Sequence, residues 1–283
     1  MTYANDVLVT TDWVARHHDD ASVVVAEVDE NTELYAEGHI PGAVALHWQA
    51  EMQQHVVRDV IGPAEFEQLL AAKGIANGST VVLYGDRNNW FAAYAYWYLK
   101  LYGHADARIM DGGRQKWIDE GRPVSRSEPR PARAAYTAHP LDDSLRMRRD
   151  AVIGVVRGGG HTLVDVRSPQ EYSGELIAMP GYEQEGAQRG GHIPGAKSIP
   201  WAQAVREDGT FKPAADLRAL YEAGGVTPDG PVTAYCRIGE RSSHTWFVLR
   251  ELLGYPDVRN YDGSWTEWGN LVDVPIAKGV DPG

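Results

Sequence analysis

The chain contains itself twice, and that repetition limits its fold more than any other feature of its 283 residues. The segment EGHIPGA at Glu37–Ala43 recurs as GGHIPGA at Gly190–Ala196, so that His39 and His192 stand 153 positions apart. Further along, the stretch from Val81 to Trp117 lies over the stretch from Val232 to Trp268 at a displacement of 151, without a gap. Tyr84 meets Tyr235, Gly103 meets Gly254, Asp111 and Gly112 meet Asp262 and Gly263, and Trp117 meets Trp268. A match of this length at one displacement marks a duplicated domain, and about 120 to 140 residues per copy is enough to fold alone. The expected organisation is a first domain over 1–124, a linker over 125–142 and a second domain over 143–283. The proline-rich run RPVSRSEPRPARAAYTAHP, from Arg122 to Pro140, fits an extended connector.

Within each copy, short apolar runs rich in β-branched residues (SVVVAEV, TVVLY, TLVDV, PVTAY) alternate with segments of helical spacing (FEQLLAAKG, WFAAYAYWYLKLYG, HTWFVLRELLG). The alternation predicts an α/β fold, a small mostly parallel sheet flanked by helices, built twice. Such sheets bind ligands beyond the carboxyl ends of their strands, which directs attention to the residues after Tyr84 and Tyr235. With 39 acidic against 27 basic side chains the net charge is -12, which opposes binding to nucleic acid or an anionic membrane. An anionic substrate then needs a local basic site. The opening MTYANDVLVTTDWVARHHDD is acidic and polar where a secretory leader is basic and apolar. No run approaches the roughly 20 apolar residues of a membrane span, so a cytoplasmic protein is expected. One cysteine permits neither an internal disulfide nor a multi-cysteine metal site. No nucleotide or phosphate-loop spacing is present, and neither metal nor cofactor is expected.

The one cysteine, Cys236, follows PVTAY and opens CRIGER, after which SSHTWFVLRELLG reads as a helix with Ser242 and Ser243 at its start and Gly254 at its end. A cysteine after an apolar strand is commonly core filler. Two arginines, a glycine and a helix start within seven residues argue instead for a reagent. Gly239 allows tight curvature, and a loop between strand end and helix start can turn its N–H groups inward to cradle an anion. Arg237 and Arg241 add positive charge, which is expected to favour thiolate over thiol. Ile238 completes the loop, and Glu240 is read as tempering the charge or orienting an arginine. Opposite Cys236 the first copy carries Gly85, so that copy is expected to be inactive.

Two copies of a domain with GHIPGA, a DGG or DGS turn followed by tryptophan, and one cysteine loop in the second copy resemble the tandem-domain rhodaneses, the thiosulfate and 3-mercaptopyruvate sulfurtransferases. The resemblance covers almost the whole chain. It implies a small α/β domain used twice, with activity in the second copy, and a ping-pong reaction through a persulfide on Cys236. A sulfur donor loads the cysteine, backbone N–H groups of 237–241 hold the persulfide, and cyanide, a thiol or an acceptor protein removes the sulfur.

Mercaptopyruvate enzymes of that family carry a small, nearly neutral loop resembling CGSGVT, and Ile238 stands where theirs has a serine; CRIGERS resembles the thiosulfate group. The resemblance further implies a donor-binding role for Arg189, shortly before the second GHIPGA turn, and places Asp165 beside the active loop, where it can hold an arginine or loop N–H groups. A second arginine often found before the aromatic at Tyr172 is replaced by Glu171. The second copy is also longer ahead of GHIPGA, 26 positions from Asp165 to Gly191 against 11 from Glu27 to Gly38. His39 and His192, repeated in both copies, are read as holding turns. Cysteine phosphatases share the strand, cysteine loop and arginine, but place five residues between cysteine and arginine; Arg241 comes one residue early for cradling phosphate.

Overall fold

The β-branched runs become the strands of two separate parallel sheets. In the computed structural model, which describes residues 2–283, the first sheet comprises β1 (Leu8–Val9), β2 (Val23–Glu27), β3 (Val44–Ala45), β4 (Thr80–Tyr84) and β5 (Ala107–Met110). Their order is β1-β5-β4-β2-β3, every pairing parallel, with Val25 beside Val82 and Leu83 beside Ile109. Helices α1 (Thr11–His17), α2 (Leu34–Glu37), α3 (Trp48–Met52), α4 (Pro63–Ala72), α5 (Trp90–Leu101) and α6 (Gly113–Asp119) flank it. A parallel sheet covered by helices needs continuous apolar strands, and Val81, Val82, Leu83 and Tyr84 of β4 are fully buried. Val14, Val25, Met110 and Trp117 pack in the same core.

The second unit repeats this plan with α7 (Arg149–Gly158), β6 (Thr162–Asp165), α8 (Pro169–Ser173), β7 (Lys197–Ser198), α9 (Ala214–Ala223), β8 (Val232–Tyr235), α10 (Glu240–Phe247), β9 (Val258–Tyr261) and α11 (Ser264–Trp268). Its four strands run β7-β6-β8-β9, again all parallel. Where β1 pairs Leu8 with Ile109, the second unit keeps a single parallel bridge from Arg146 to Asn260. Beyond Phe247 the helix widens into a π turn over Val248–Leu252, and Gly254 then takes φ +73°.

The chain falls into two compact units. Val7–Asp142 and Val205–Phe211 form one, while the residues up to Asp6, Asp143–Ala204 and Lys212–Gly283 form the other. The run 125–142 is a strap on the first unit rather than a free connector. Ser125 exchanges both backbone hydrogen bonds with His39 (2.8 and 2.9 Å), and the N–H groups of Ala134 and His139 donate to the carbonyls of Ala71 and Tyr102. The second unit is closed the same way: His192 and Ala277 exchange two bonds of 3.0 Å. Both histidines serve these turns. His39 donates from Nδ1 to the Tyr35 carbonyl and stacks on that ring at 3.9 Å; His192 does the same with Tyr172, at 3.7 Å.

Candidate active site

All four residues of β8 are buried, and the chain leaves the carboxyl end of that strand directly into Cys236, itself fully buried. The turn after β9 fixes the loop. Cys236 N–H donates to Ser264 Oγ (3.0 Å), while the carbonyls of Cys236 and Arg237 accept from the N–H groups of Trp265 and Thr266. Gly239 has φ +102°, and a Cβ there would lie 2.8 Å from Asp262 Cα, so only glycine lets the loop pass this turn. Gly239 also caps α10, which therefore begins at Glu240, two residues before the serines expected to start it. The serines serve the interior instead. Ser243 Oγ donates to the Gly239 carbonyl (2.7 Å), Ser242 Oγ donates to Asn260 Oδ1 (2.6 Å), and Asn260 Nδ2 donates to the Gly239 carbonyl (3.0 Å).

Around the sulfur, Gly239 N–H donates to Sγ at 3.2 Å, Ser242 Oγ lies at 3.5 Å and Glu240 Oε2 at 3.3 Å. The two arginines are buried and paired. Arg241 makes a bidentate pair with Glu171 of α8, both bonds 3.0 Å. Arg237 places Nε 3.0 Å from Glu185 and Nη2 3.1 Å from Glu240, with its guanidinium 4.0 Å from the Tyr182 ring. Glu185 and Tyr182 belong to the extra segment that lengthens the second copy, so that insertion packs onto the cysteine loop. Two arginines thus face three carboxylates, which corrects the expectation of a net positive loop. The expected thiolate is corrected with it: burial pushes the Cys236 thiol up, the Glu240 carboxylate adds to this, and Arg241 and Ser242 oppose it without prevailing. Arg237 Nη1 and Arg241 Nε nevertheless remain buried with no hydrogen-bond partner among the described residues.

Cys236, Arg237, Ile238, Gly239, Glu240 and Arg241 lie together in the loop after β8 and the first turn of α10, whereas Asp165 and Arg189 make their bonds elsewhere. Asp165 holds an arginine, Arg167, through Nε and Nη2 and its own N–H (2.6–3.2 Å), and Arg167 lies 4.4 Å from the Trp265 ring. The donor-binding role expected of Arg189 is not supported: its guanidinium donates to the carbonyls of Trp268, Gly269, Leu271 and Val274, which tie the chain after α11. Sequence reasoning passed over Asn260 and the inward role of the serines. A signal was present in the repeat itself, because 151 positions earlier Ser242, Ser243 and Asn260 correspond to Phe91, Ala92 and Ile109. At these three positions the second copy carries polar residues, in the hydrogen-bond network of the cysteine loop, where the first copy is apolar.

Opposite Cys236, the first copy leaves no room for a side chain. A Cβ on Gly85 would lie 2.0 Å from the Val28 carbonyl oxygen. Asp86 N–H donates to Asp29 Oδ1 (2.7 Å), and burial, with Glu27 beside it, pushes the Asp29 carboxyl up to about 10. Gly85→Cys is therefore expected to lower stability by about 1–3 kcal/mol through overpacking, measured by urea unfolding, rather than to open a second reactive site.

Comparison with known proteins agrees with this geometry. The chain is 59% identical to the "Sulfur carrier protein TtuD" of Thermus thermophilus, over 99% of this chain and 100% of that one. It is 55% identical to the "Putative thiosulfate sulfurtransferase" of Saccharopolyspora erythraea, over 98% of each. Among solved structures, a persulfide-bearing variant of EanB with ergothioneine matches with a TM-score of 0.84 at 25% identity, covering 97% of this chain and 71% of that one. The model of the Rhodanese-like domain matches at residues 10–120 and again at 151–271, and with relatives of this identity over the full length the chain belongs to the rhodanese sulfurtransferase family.

Proposed function

We propose that the second domain moves a sulfane sulfur from thiosulfate to a thiophilic acceptor through a persulfide on Cys236. The observation that carries this reading is a sulfur at a strand end with a backbone N–H aimed at it, beside two buried arginines that each keep an unused donor. A nucleophile needs a way to meet an anion, and Arg237 Nη1 and Arg241 Nε supply donors for the sulfonate oxygens of thiosulfate. Cys236 attacks the outer sulfur, sulfite leaves, and the persulfide then yields its sulfur to cyanide, a thiol or an acceptor protein. Donor preference follows from the loop. Ile238 provides no hydroxyl to assist a mercaptopyruvate leaving group, and Glu171 stands where a carboxylate-binding arginine is expected.

Incubation with thiosulfate alone is expected to add one sulfur atom, about 32 Da, to the peptide containing Cys236, and cyanide is expected to remove it. Peptide mass spectrometry checks this, run beside steady-state assays of thiosulfate and 3-mercaptopyruvate as donors. Absence of the adduct, or faster turnover of 3-mercaptopyruvate, overturns the assignment of donor. The likeness to a protein named as a sulfur carrier favours a second reading of the acceptor, in which the sulfur passes to another protein. Brisk thiocyanate formation by the purified protein alone speaks for the small-molecule acceptor.

A further inference from the structure

We propose that Glu240 is a catalytic residue that takes the proton of the Cys236 thiol when sulfur is loaded and returns it when sulfur leaves, an assignment that rests on the persulfide reading above. Its carboxylate lies against the sulfur on one side and the arginines on the other. Oε2 is 3.3 Å from Sγ and accepts from Ile238 N–H at 3.3 Å; Oε1 is 3.1 Å from Arg237 Nη2 and 3.8 Å from Arg241 Nε. In this contact Sγ is the donor and Oε2 the acceptor. The other neighbours of Sγ are poor proton acceptors. Gly239 N–H is a donor, and Ser242 Oγ, at 3.5 Å, gives its hydrogen to Asn260. Cys236 and Glu240 are both fully buried, which keeps bulk water from serving as the base.

Burial and the carboxylate together push the Cys236 thiol up, so attack on a donor near neutral pH calls for an acceptor for its proton. The charged groups facing the pair are Arg237 and Arg241, Glu171 from α8 and Glu185 from the inserted segment, with the Arg146–Asp262 pair behind Gly239. Two guanidiniums against three carboxylates leave one negative charge in excess, and a proton on Glu240 keeps the persulfide anion from adding a second. In loading, the S–H bond breaks and its proton goes to Oε2, the sulfur electron pair forms a bond to the outer sulfur of thiosulfate, and the thiosulfate S–S bond breaks with its pair leaving on sulfite. In unloading, cyanide takes the outer sulfur as thiocyanate, the S–S electron pair returns to Cys236 Sγ, and the Glu240 proton restores the thiol. Charge and protons balance over the cycle without a further reagent.

The test is rapid-mixing measurement of sulfite release from thiosulfate across pH, for the parent and Glu240→Gln. The amide keeps the shape and one acceptor for the arginines but cannot take the proton. Loading at pH 7 is expected to fall by about 10²–10⁴-fold and to recover about tenfold per pH unit as the thiol ionises unaided, whereas the parent varies little near neutrality. A variant that matches the parent in rate and pH profile, one that is faster, or one reduced evenly at every pH overturns the proposal. The parent alone supplies a second measurement should the variant fold poorly. With one cysteine in the chain, [3-¹³C]cysteine labelling gives a single Cβ resonance that reports thiol ionisation. Full-rate loading is expected at pH values where that resonance is still that of a thiol; a rate that follows the thiolate fraction overturns the assignment. Failure of the parent to gain a sulfur atom at any pH would instead defeat the persulfide reading, and the Glu240 assignment with it.

Discussion

Cys236→Ser is expected to yield a folded protein without sulfur transfer. The hydroxyl fits the same buried space, can donate to Glu240 and can accept from Gly239 N–H, so the loop keeps its contacts. What is lost is the chemistry: a serine hydroxyl ionises far less readily and forms no persulfide. Loss of the nucleophile should reduce turnover by on the order of 10⁴-fold or more, with the melting temperature close to that of the parent. Thiocyanate formation and the absence of the 32 Da adduct check this. Activity above a few per cent of the parent would show that Cys236 is not the sulfur carrier.

Arg241→Ala is expected to unfold more readily by about 3–5 kcal/mol, because it leaves Glu171 buried without its partner. From the loop sequence alone the same substitution would be expected to impair turnover and spare stability; the bidentate pair reverses that order. Burial on its own would push the Glu171 carboxyl up, yet the hydrogen bonds and charge of Arg241 outweigh it and hold Glu171 at about 2, against an ordinary 4.5. A shift of that size corresponds to about 3 kcal/mol, in keeping with the first figure. The sign follows from a depressed folded-state pKa: the contribution is complete above about 4.5 and is lost as pH falls through about 2. Urea unfolding of parent and variant should therefore differ most at neutral pH and converge between those values. Arg241→Lys should recover little, since an ammonium cannot make the paired bonds. Equal stability of parent and Arg241→Ala at pH 7 would contradict the account.

Much of this architecture is written locally in the chain. TVVLY, TLVDV and PVTAY become β4, β6 and β8 within a residue of their expected bounds, because β-branched runs between glycines and polar turns have few alternatives. The cysteine loop is legible for the same reason, all six residues being contiguous. Its electrostatics are not local. Glu171 lies 70 positions before Arg241, and only the neighbouring placement of β6 and β8 brings α8 against α10. Glu185 reaches Arg237 through a segment of no regular pattern, and Asn260 reaches the loop through sheet register. A count of charges within CRIGER therefore predicts a lowered thiol pKa, where in the folded chain burial and Glu240 push it up. Glu171 was visible as a departure from the family pattern, but its meaning as a partner for Arg241 required the fold.

The paired straps bear on the ancestry of the chain. Ser125 and Ala277 stand 152 positions apart, within the 151 to 153 that separate the matched segments, and each meets the histidine of its own GHIPGA turn. The stretch after Trp117 was therefore inherited with the ancestral gene segment, as the closing tail of a self-contained half, rather than acquired later to join two halves. When that segment doubled, the upstream tail became a bridge by position while keeping its older contacts.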